Sequence, residues 1–300
     1  MMTKHGVRLL ALIAATVLKQ SADCSLANPI SLDGTLVLAV PSNEGLVIAT
    51  DSRMRVAPGV FCDNQYKIIE PDRPDRSVIA VAGAGINVPG PGPDVRDLCA
   101  YSMRARRNYD IGALARDYVE ARDANIATIQ LDELAALCVE TIVKFQMTHG
   151  LEPLKAFWDK RLFNVVLASY DPGARRSFVK RIGLNLEPGG RPFIDRRDSH
   201  NFSQESDGQL VAFGEAEFLN KNVVNGVGQQ FLRGAFAEWQ KQKTIAEINR
   251  SLALNAATDL IEAASKTADL MRYDGGIGGP VDAVLLGEQR RPLRLRWKAP

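Results

Sequence analysis

The sequence predicts an α+β fold in which two antiparallel sheets lie face to face with helix layers outside. Three observations carry this. β-leaning apolar runs come first and are joined by a turn short enough for a hairpin. Helical periodicity appears only after several such runs. The order strands, helices, strands, helices, strands lacks the strict alternation of a doubly wound parallel sheet. With 46% hydrophobic and 24% charged residues over 300 positions, the chain has enough apolar material for a large core, in one domain or two small ones.

The elements follow in order. Thr35-Leu-Val-Leu-Ala-Val40 is a strand, Pro41-Ser-Asn-Glu-Gly45 has turn chemistry, and Leu46-Val-Ile-Ala-Thr50 returns as the partner strand before Asp51-Ser52-Arg53. Tyr66–Ile69 and Ser77–Ala82 extend the sheet structure. A Gly/Pro-rich loop over 83–93 stops it, because these residues continue neither strand nor helix well. Helices are expected near 94–107, 110–123 and 131–148, the last from Leu134, Leu137, Cys138, Thr141 and Ile142. Strands resume at Phe163–Tyr170 and Ser177–Leu186. Residues 188–207 read as a polar, turn-rich surface excursion. Leu210–Phe213 is a strand, followed by helices near 215–224, 228–241 and 244–271. Val281–Leu286 and Leu293–Trp297 close the structure. The second of these alternates Leu293 and Leu295 with Arg294 and Arg296, as an edge strand with a charged outer face does.

The first residues have the pattern of an export signal. Lys4 and Arg8 precede the apolar run Leu9–Leu18, which is too short to span a bilayer, and Ser25-Leu26-Ala27 offers a small-x-small cleavage site. The expected division is a signal peptide over 1–27, a short propeptide over 28–34 and one domain over 35–300. The expected location is periplasmic or secreted; if 1–34 is only a propeptide, the chain is cytoplasmic. Asp23 before Cys24 argues against a lipoprotein. No other segment is long and apolar enough to be a membrane span.

A net charge of +2 gives no electrostatic reason to expect nucleic acid as a partner. The four cysteines (Cys24, Cys62, Cys99, Cys138) have no zinc spacing, and Cys99 and Cys138 fall in helical patterns where buried free thiols are expected. With only His5, His149 and His200 present, a histidine-based metal site or a Ser-His-Asp triad is poorly supported. No cofactor and no metal is expected.

A threonine at a chain terminus needs no histidine. Its hydroxyl requires a base, and its own α-amine, with an ordinary pKa near 8, can be that base. A lysine tunes the pair by its charge, a carboxylate fixes the lysine, and glycine backbone N–H groups receive the oxyanion. The sequence holds each part: Gly34-Thr35 opens the first strand, Asp51 ends the second, Lys67 opens the third and Gly83 ends the fourth. The steps are 51 − 35 = 16 and 67 − 51 = 16. A hairpin returns its second strand to the start of its first, so Asp51 lies beside Thr35, and one adjacent strand brings in Lys67.

Gly34-Thr-Leu-Val-Leu-Ala-Val, Gly45-Leu-Val-Ile-Ala-Thr-Asp51-Ser-Arg53, Ala82-Gly83 and Gly278-Gly-Pro-Val-Asp-Ala-Val-Leu-Leu286 resemble the proteasome β-subunit family of N-terminal-nucleophile hydrolases. The resemblance covers residues 34–287 and is strongest over 34–83. It implies a four-layer αββα sandwich, autocleavage between Gly34 and Thr35, threonine-type peptidase activity on peptides or unfolded proteins, and assembly into a homo-oligomeric ring. By the same resemblance Thr35, Asp51 and Lys67 are catalytic, Gly83 serves the oxyanion, and Arg53 and Asp274 support the site. Two departures stand out. Phe213-Gly214-Glu215 replaces the family's Gly-Ser-Gly. Met271-Arg-Tyr-Asp274-Gly275-Gly276 replaces Asp-x-x-Ser-Gly-Gly, with Asp269 the acid nearest to Met271. They leave room for two alternatives, a non-catalytic structural subunit of the same fold and an exported amidase acting on a small amide.

Overall fold

The computed structural model describes residues 30–31, 35–57, 60–63, 65–72, 74–83, 85–87, 109–121, 130–158, 161–273 and 275–296. Ten strands build two five-stranded antiparallel sheets. They are β1 (Leu36–Ser42), β2 (Gly45–Thr50), β3 (Ile68–Ile69), β4 (Ser77–Gly83), β5 (Arg161–Asp171), β6 (Arg176–Leu186), β7 (Pro192–Phe202), β8 (Val211–Gly214), β9 (Asp282–Gly287) and β10 (Leu293–Arg296). The first sheet has the order β8-β1-β2-β9-β10 and the second β7-β6-β5-β4-β3. The four main helices are α1 (Ile111–Glu120), α2 (Leu131–His149), α3 (Ala235–Gln240) and α4 (Arg250–Met271).

β1 and β2 are buried on both faces, because each face meets a different core. Leu36, Leu38, Val40, Val47 and Ala49 pack with residues of α3 and α4. Val37, Ala39, Leu46 and Ile48 pack with Val78, Ala80, Val166 and Ala168 of the second sheet. The second sheet turns its other face, with Ile79, Val81, Val165 and Ile182, to Ala115 of α1 and Leu134 and Ile142 of α2. The layers are therefore helix, sheet, sheet, helix, the αββα sandwich expected. A strand covered on both sides reads as a continuous apolar run rather than as an alternation, which is why Leu36–Val40 shows no polar face.

The register fixes the hairpin that matters most. Val37 pairs with Thr50 and Ser42 with Gly45, so the end of β2 returns beside the start of β1. α1 is capped by the Asp110 carboxylate, which accepts a hydrogen bond from the Ala113 N–H, and α4 by Asn249, which accepts from Leu252. Within α4 the buried carboxylate of Asp259 accepts the Arg233 and Phe236 amides. It thereby ties the start of α3 to the long helix.

The structure departs from the sequence reading at several elements. Residues 192–202 are strand β7 rather than a surface excursion. As the edge of its sheet, β7 pairs on one side only and tolerates Arg, Asp, Ser and His. A small hairpin, Met54–Ala57 with Val60–Cys62, follows the Asp51-Ser52-Arg53 turn. The helix expected over 215–224 is one turn, Ala216–Phe218, followed by a π-helical segment at Leu219–Val224. That over 228–241 is a 3₁₀ turn at Val227–Phe231 followed by α3. Gly234, with φ +100°, separates those two pieces. The helix expected near 94–107 and the signal peptide expected over 1–27 lie outside the described residues. Of residues 28–34, the expected propeptide, Ile30–Ser31 pairs antiparallel with Gly85–Asn87. Among the described residues no helix is long and apolar enough to cross a membrane.

Cys138 is a buried free thiol as expected, and burial pushes its pKa up to about 12. Cys62 is disulfide-bonded, which the sequence reading did not foresee. Its partner lies outside the described residues.

Candidate active site

Thr35 sits just before β1 and is only 6% exposed. Across the hairpin, the fully buried Asp51 carboxylate is an acceptor for four donors. Its Oδ1 accepts from the Leu36 N–H at 2.9 Å and from Lys67 Nζ at 3.1 Å. Its Oδ2 accepts from the Gly278 N–H at 3.1 Å and the Arg53 N–H at 3.2 Å. Lys67 Nζ also donates to the Arg53 carbonyl at 2.7 Å. The Lys67 carbonyl accepts from the Val81 N–H at 3.0 Å, which holds the lysine against the end of β4. Asp51 and Lys67 are thus joined, and their shared oxygen also holds the residue next to Thr35.

Both groups are removed from water, and this sets their protonation. Burial lowers the Lys67 pKa below its ordinary 10.5, while Asp51, Asp282 and Asp63 pull it back up. Burial raises that of Asp51, opposed by Lys67 and by the Leu36 and Gly278 amides. If turnover needs a charged Lys67, it falls as pH rises through that lowered value. The pH–rate profile should therefore bend down below 10.5. An activity that stays flat to the ordinary lysine range would contradict a role for the ammonium.

Arg53 braces the turn. Its Nε and Nη2 donate to the two Asp63 oxygens at 2.8 and 3.3 Å, and its Nη1 donates to Asp269 Oδ1 at 2.8 Å and to the Ile277 carbonyl at 3.3 Å. The hydrogen bonds to Asp63 lead in holding the guanidinium pKa above its usual value. The Phe61 ring lies 5.3 Å from its carbon. Asp269 thus supports the site through Arg53, while Met271 at the end of α4 is exposed.

Two glycines mark close approaches. Gly83 has φ +118° and stands opposite Phe163 between β4 and β5; a Cβ there would lie 2.6 Å from the Phe163 Cα. Gly214 has φ +76°, and a Cβ would lie 1.9 Å from the Thr35 carbonyl oxygen. Gly214→Ala is therefore expected to destabilise the protein by roughly 2–4 kcal/mol, from strain at positive φ and overlap with backbone. Urea melts measure this; a change under about 0.5 kcal/mol, the range of neutral surface substitutions, would contradict it.

Gly34 and Asp274 lie outside the described residues. His149 lies against Phe145, and His200 against Phe202 and Phe213. Among the described residues no acid, histidine and cysteine cluster fits a metal ion.

Sequence reasoning missed four contributors. Asp282 is 1% exposed, faces Thr50 across β9 and β2, and adds its charge to the field at Lys67. One acid in the apolar run Val281–Leu286 was the available signal. Gly278 accepts from the Ser52 and Arg53 amides at 3.0 and 2.8 Å. Asp63 holds Arg53, and Glu215 donates its N–H to the Thr35 carbonyl at 3.0 Å.

No protein-family model matches the chain, and a search of curated proteins finds no match. Among solved structures the chain is similar to Anbu (ancestral beta-subunit) from Yersinia bercovieri, at 13% identity over 87% of this chain and 86% of that one, with a TM-score of 0.43. It is similar to an Anbu (Gly-1) mutant from Hyphomicrobium sp. strain MC1, at 13% identity over 87% of each chain, with a TM-score of 0.41. It is also similar to Anbu in a helical assembly from Pseudomonas aeruginosa, at 14% identity over 88% of this chain and 86% of that one, with a TM-score of 0.46.

Proposed function

We propose that the chain is a threonine-type hydrolase of the proteasome β-subunit kind, activated by cleavage between Gly34 and Thr35 and acting on peptide bonds. The observation that carries this reading is the buried Lys67–Asp51 pair, whose shared oxygen also accepts the Leu36 amide beside Thr35. In the reaction Thr35 Oγ attacks the substrate carbonyl and passes its proton to its own α-amine. Lys67 lowers the cost of the alkoxide, and the Gly83 N–H is assigned to the oxyanion. The ammonium protonates the leaving nitrogen, and water then hydrolyses the ester to regenerate Thr35. No cofactor or metal enters.

N-terminal sequencing and intact mass of the purified protein test it. A chain continuous through Gly34-Thr35, in preparations free of degradation, would sink self-processing. Peptide turnover that persists unchanged without Thr35 would sink its role as the nucleophile, and a cleaved chain with no turnover would favour a structural subunit.

The reading includes export and homo-oligomeric ring assembly. The Cys62 disulfide supports an oxidising compartment. Val143, Met147 and Leu151 are exposed at one-turn spacing on and just beyond α2, an apolar stripe that an assembly would cover. Light scattering measures the assembly. The disulfide also favours a second reading of the same chemistry, hydrolysis of a small amide, since an exported enzyme has no cytosolic ATP-driven unfoldase to feed it. A panel of peptides and small amides separates the two.

A further inference from the structure

A second buried acid stands at the same end of the sandwich as the Asp51–Lys67 pair. Asp282 opens β9 and pairs with Thr50, the residue before Asp51. Alternation along β9 fixes where its side chain points. Ala283 and Leu285 pack with the helices, whereas Val284 and Leu286 pack with residues of the second sheet. Asp282 therefore shares the inner face with Val284, as Thr50 shares it with Ile48. Lys67 comes from the facing sheet. It directly precedes β3, and its side chain crosses between the sheets to reach Asp51 Oδ1 at 3.1 Å. The Asp282 side chain thus faces the gap that the lysine crosses, and it is only 1% exposed. Its carboxylate is not bonded to the neighbouring Thr50 hydroxyl, which has no hydrogen-bond partner among the described residues.

We infer that Asp282 is a positioning residue for Lys67, whose buried carboxylate extends to higher pH the range over which the lysine is an ammonium. This rests on the reading of Lys67 as the cation that supports Thr35, and it names a second acid on which that cation depends. Burial disfavours the charged lysine. Asp51 gives the largest opposing pull, but the same carboxylate also accepts three backbone amides, and burial raises its own pKa. Asp63 also attracts Lys67, but it is 43% exposed and both its oxygens accept from Arg53. The Arg53 guanidinium is in turn offset by Asp63 and by Asp269 of α4. Asp282 acts on Lys67 from a site removed from water, where charge is screened least. Among the described residues the charged groups to weigh at Lys67 are therefore Asp51 at the end of β2, Asp282 on β9, Asp63, and Arg53 with Asp269 behind it.

The test compares the full chain as wild type and as Asp282→Asn, with urea melts across pH as a readout independent of activity. Lys67 titrates lower in the folded chain than its ordinary 10.5. Between the two values the native state holds fewer protons than the unfolded one, so stability rises with pH there. Without Asp282 the folded value drops further. The variant's deficit in urea midpoint is therefore full at neutral pH, where Lys67 is charged. It is expected to fall by roughly half or more as the pH approaches 10.5. The alkaline limb of peptide turnover should move to lower pH by roughly half a unit to one unit. A purely structural aspartate would give a deficit that does not change with pH, and that result overturns this inference alone. An unmoved alkaline limb in an active variant overturns it too. A wild-type chain without turnover overturns the parent reading and the role in turnover with it, while the melts still decide whether Asp282 acts on Lys67. If Asp282→Asn does not fold, Asp282→Ser, smaller and also uncharged, takes its place. If neither folds at neutral or alkaline pH, Asp282 is structural and the inference falls.

Discussion

Thr35→Ala protein is expected to retain Gly34 on the same chain and to lose peptide turnover by about 10³-fold or more. On the proposed function the hydroxyl is the bond-forming atom in both self-cleavage and turnover. Stability should barely change. The contact that Thr35 makes with Glu215 runs through its backbone carbonyl, which alanine keeps, so the melt should shift by no more than about 1 kcal/mol. Intact mass, peptide turnover and urea melts on one preparation read all three. Cleavage at the same bond in the alanine variant would end the claim of self-processing.

Lys67→Met is expected to damage stability and activity together. The Asp51 carboxylate would keep its three amide donors and lose the one cation that it bonds among the described residues. Removing one partner of a buried ion pair leaves an uncompensated charge and costs about 3–5 kcal/mol. The loss should depend on pH with a defined sign. Burial already raises the Asp51 pKa above its ordinary 3.8, and losing Lys67 raises it further. The native state then holds a proton that the unfolded chain has released, so stability falls as pH rises from 3.8 through the folded value. Urea melts of the variant at acid and neutral pH should differ in that direction. Pairing Lys67→Met with Asp51→Asn should recover part of the loss, because no buried charge remains. If both single variants melt like wild type, the pair is not the structural centre of the site.

The parts of the fold that were readable in the sequence are those where local chemistry and tertiary burial agree. The β1–β2 hairpin is an example: its apolar runs pair as expected, although the strands extend through Ser42 and Gly45 and narrow the expected Pro41–Gly45 turn to Asn43–Glu44. Lys67 meets Asp51 as expected, but from just before β3 of the facing sheet and not from a strand beside the hairpin. Strand β7 was unreadable because an edge strand needs only one partner, and its Arg, Asp, Ser and His content resembles a loop. Glu215 with Thr35, and Asp282 with Thr50, were hidden for a different reason. Each depends on two segments far apart in sequence meeting at one end of the sandwich, and nothing local in either marks the other. The Asp269 contact to Arg53 is of the same kind. The acid was visible near the expected position, but the turn of α4 on which it faces Arg53 was not.

The clasp between residues 51–53 and Gly278 also sets an order of events during synthesis. Gly278 donates to Asp51 and accepts from Ser52 and Arg53, yet it is translated more than two hundred residues after them. A nascent chain that has emerged only through β4 already contains Thr35, Asp51 and Lys67, but Asp51 Oδ2 lacks one of its two amide donors and the turn lacks its anchor. If cleavage at Thr35 uses this carboxylate and turn, as the proposed function has it, their hydrogen bonds are complete only when the last third of the protein has docked. On that reading, self-cleavage would wait for the C-terminal third of the chain.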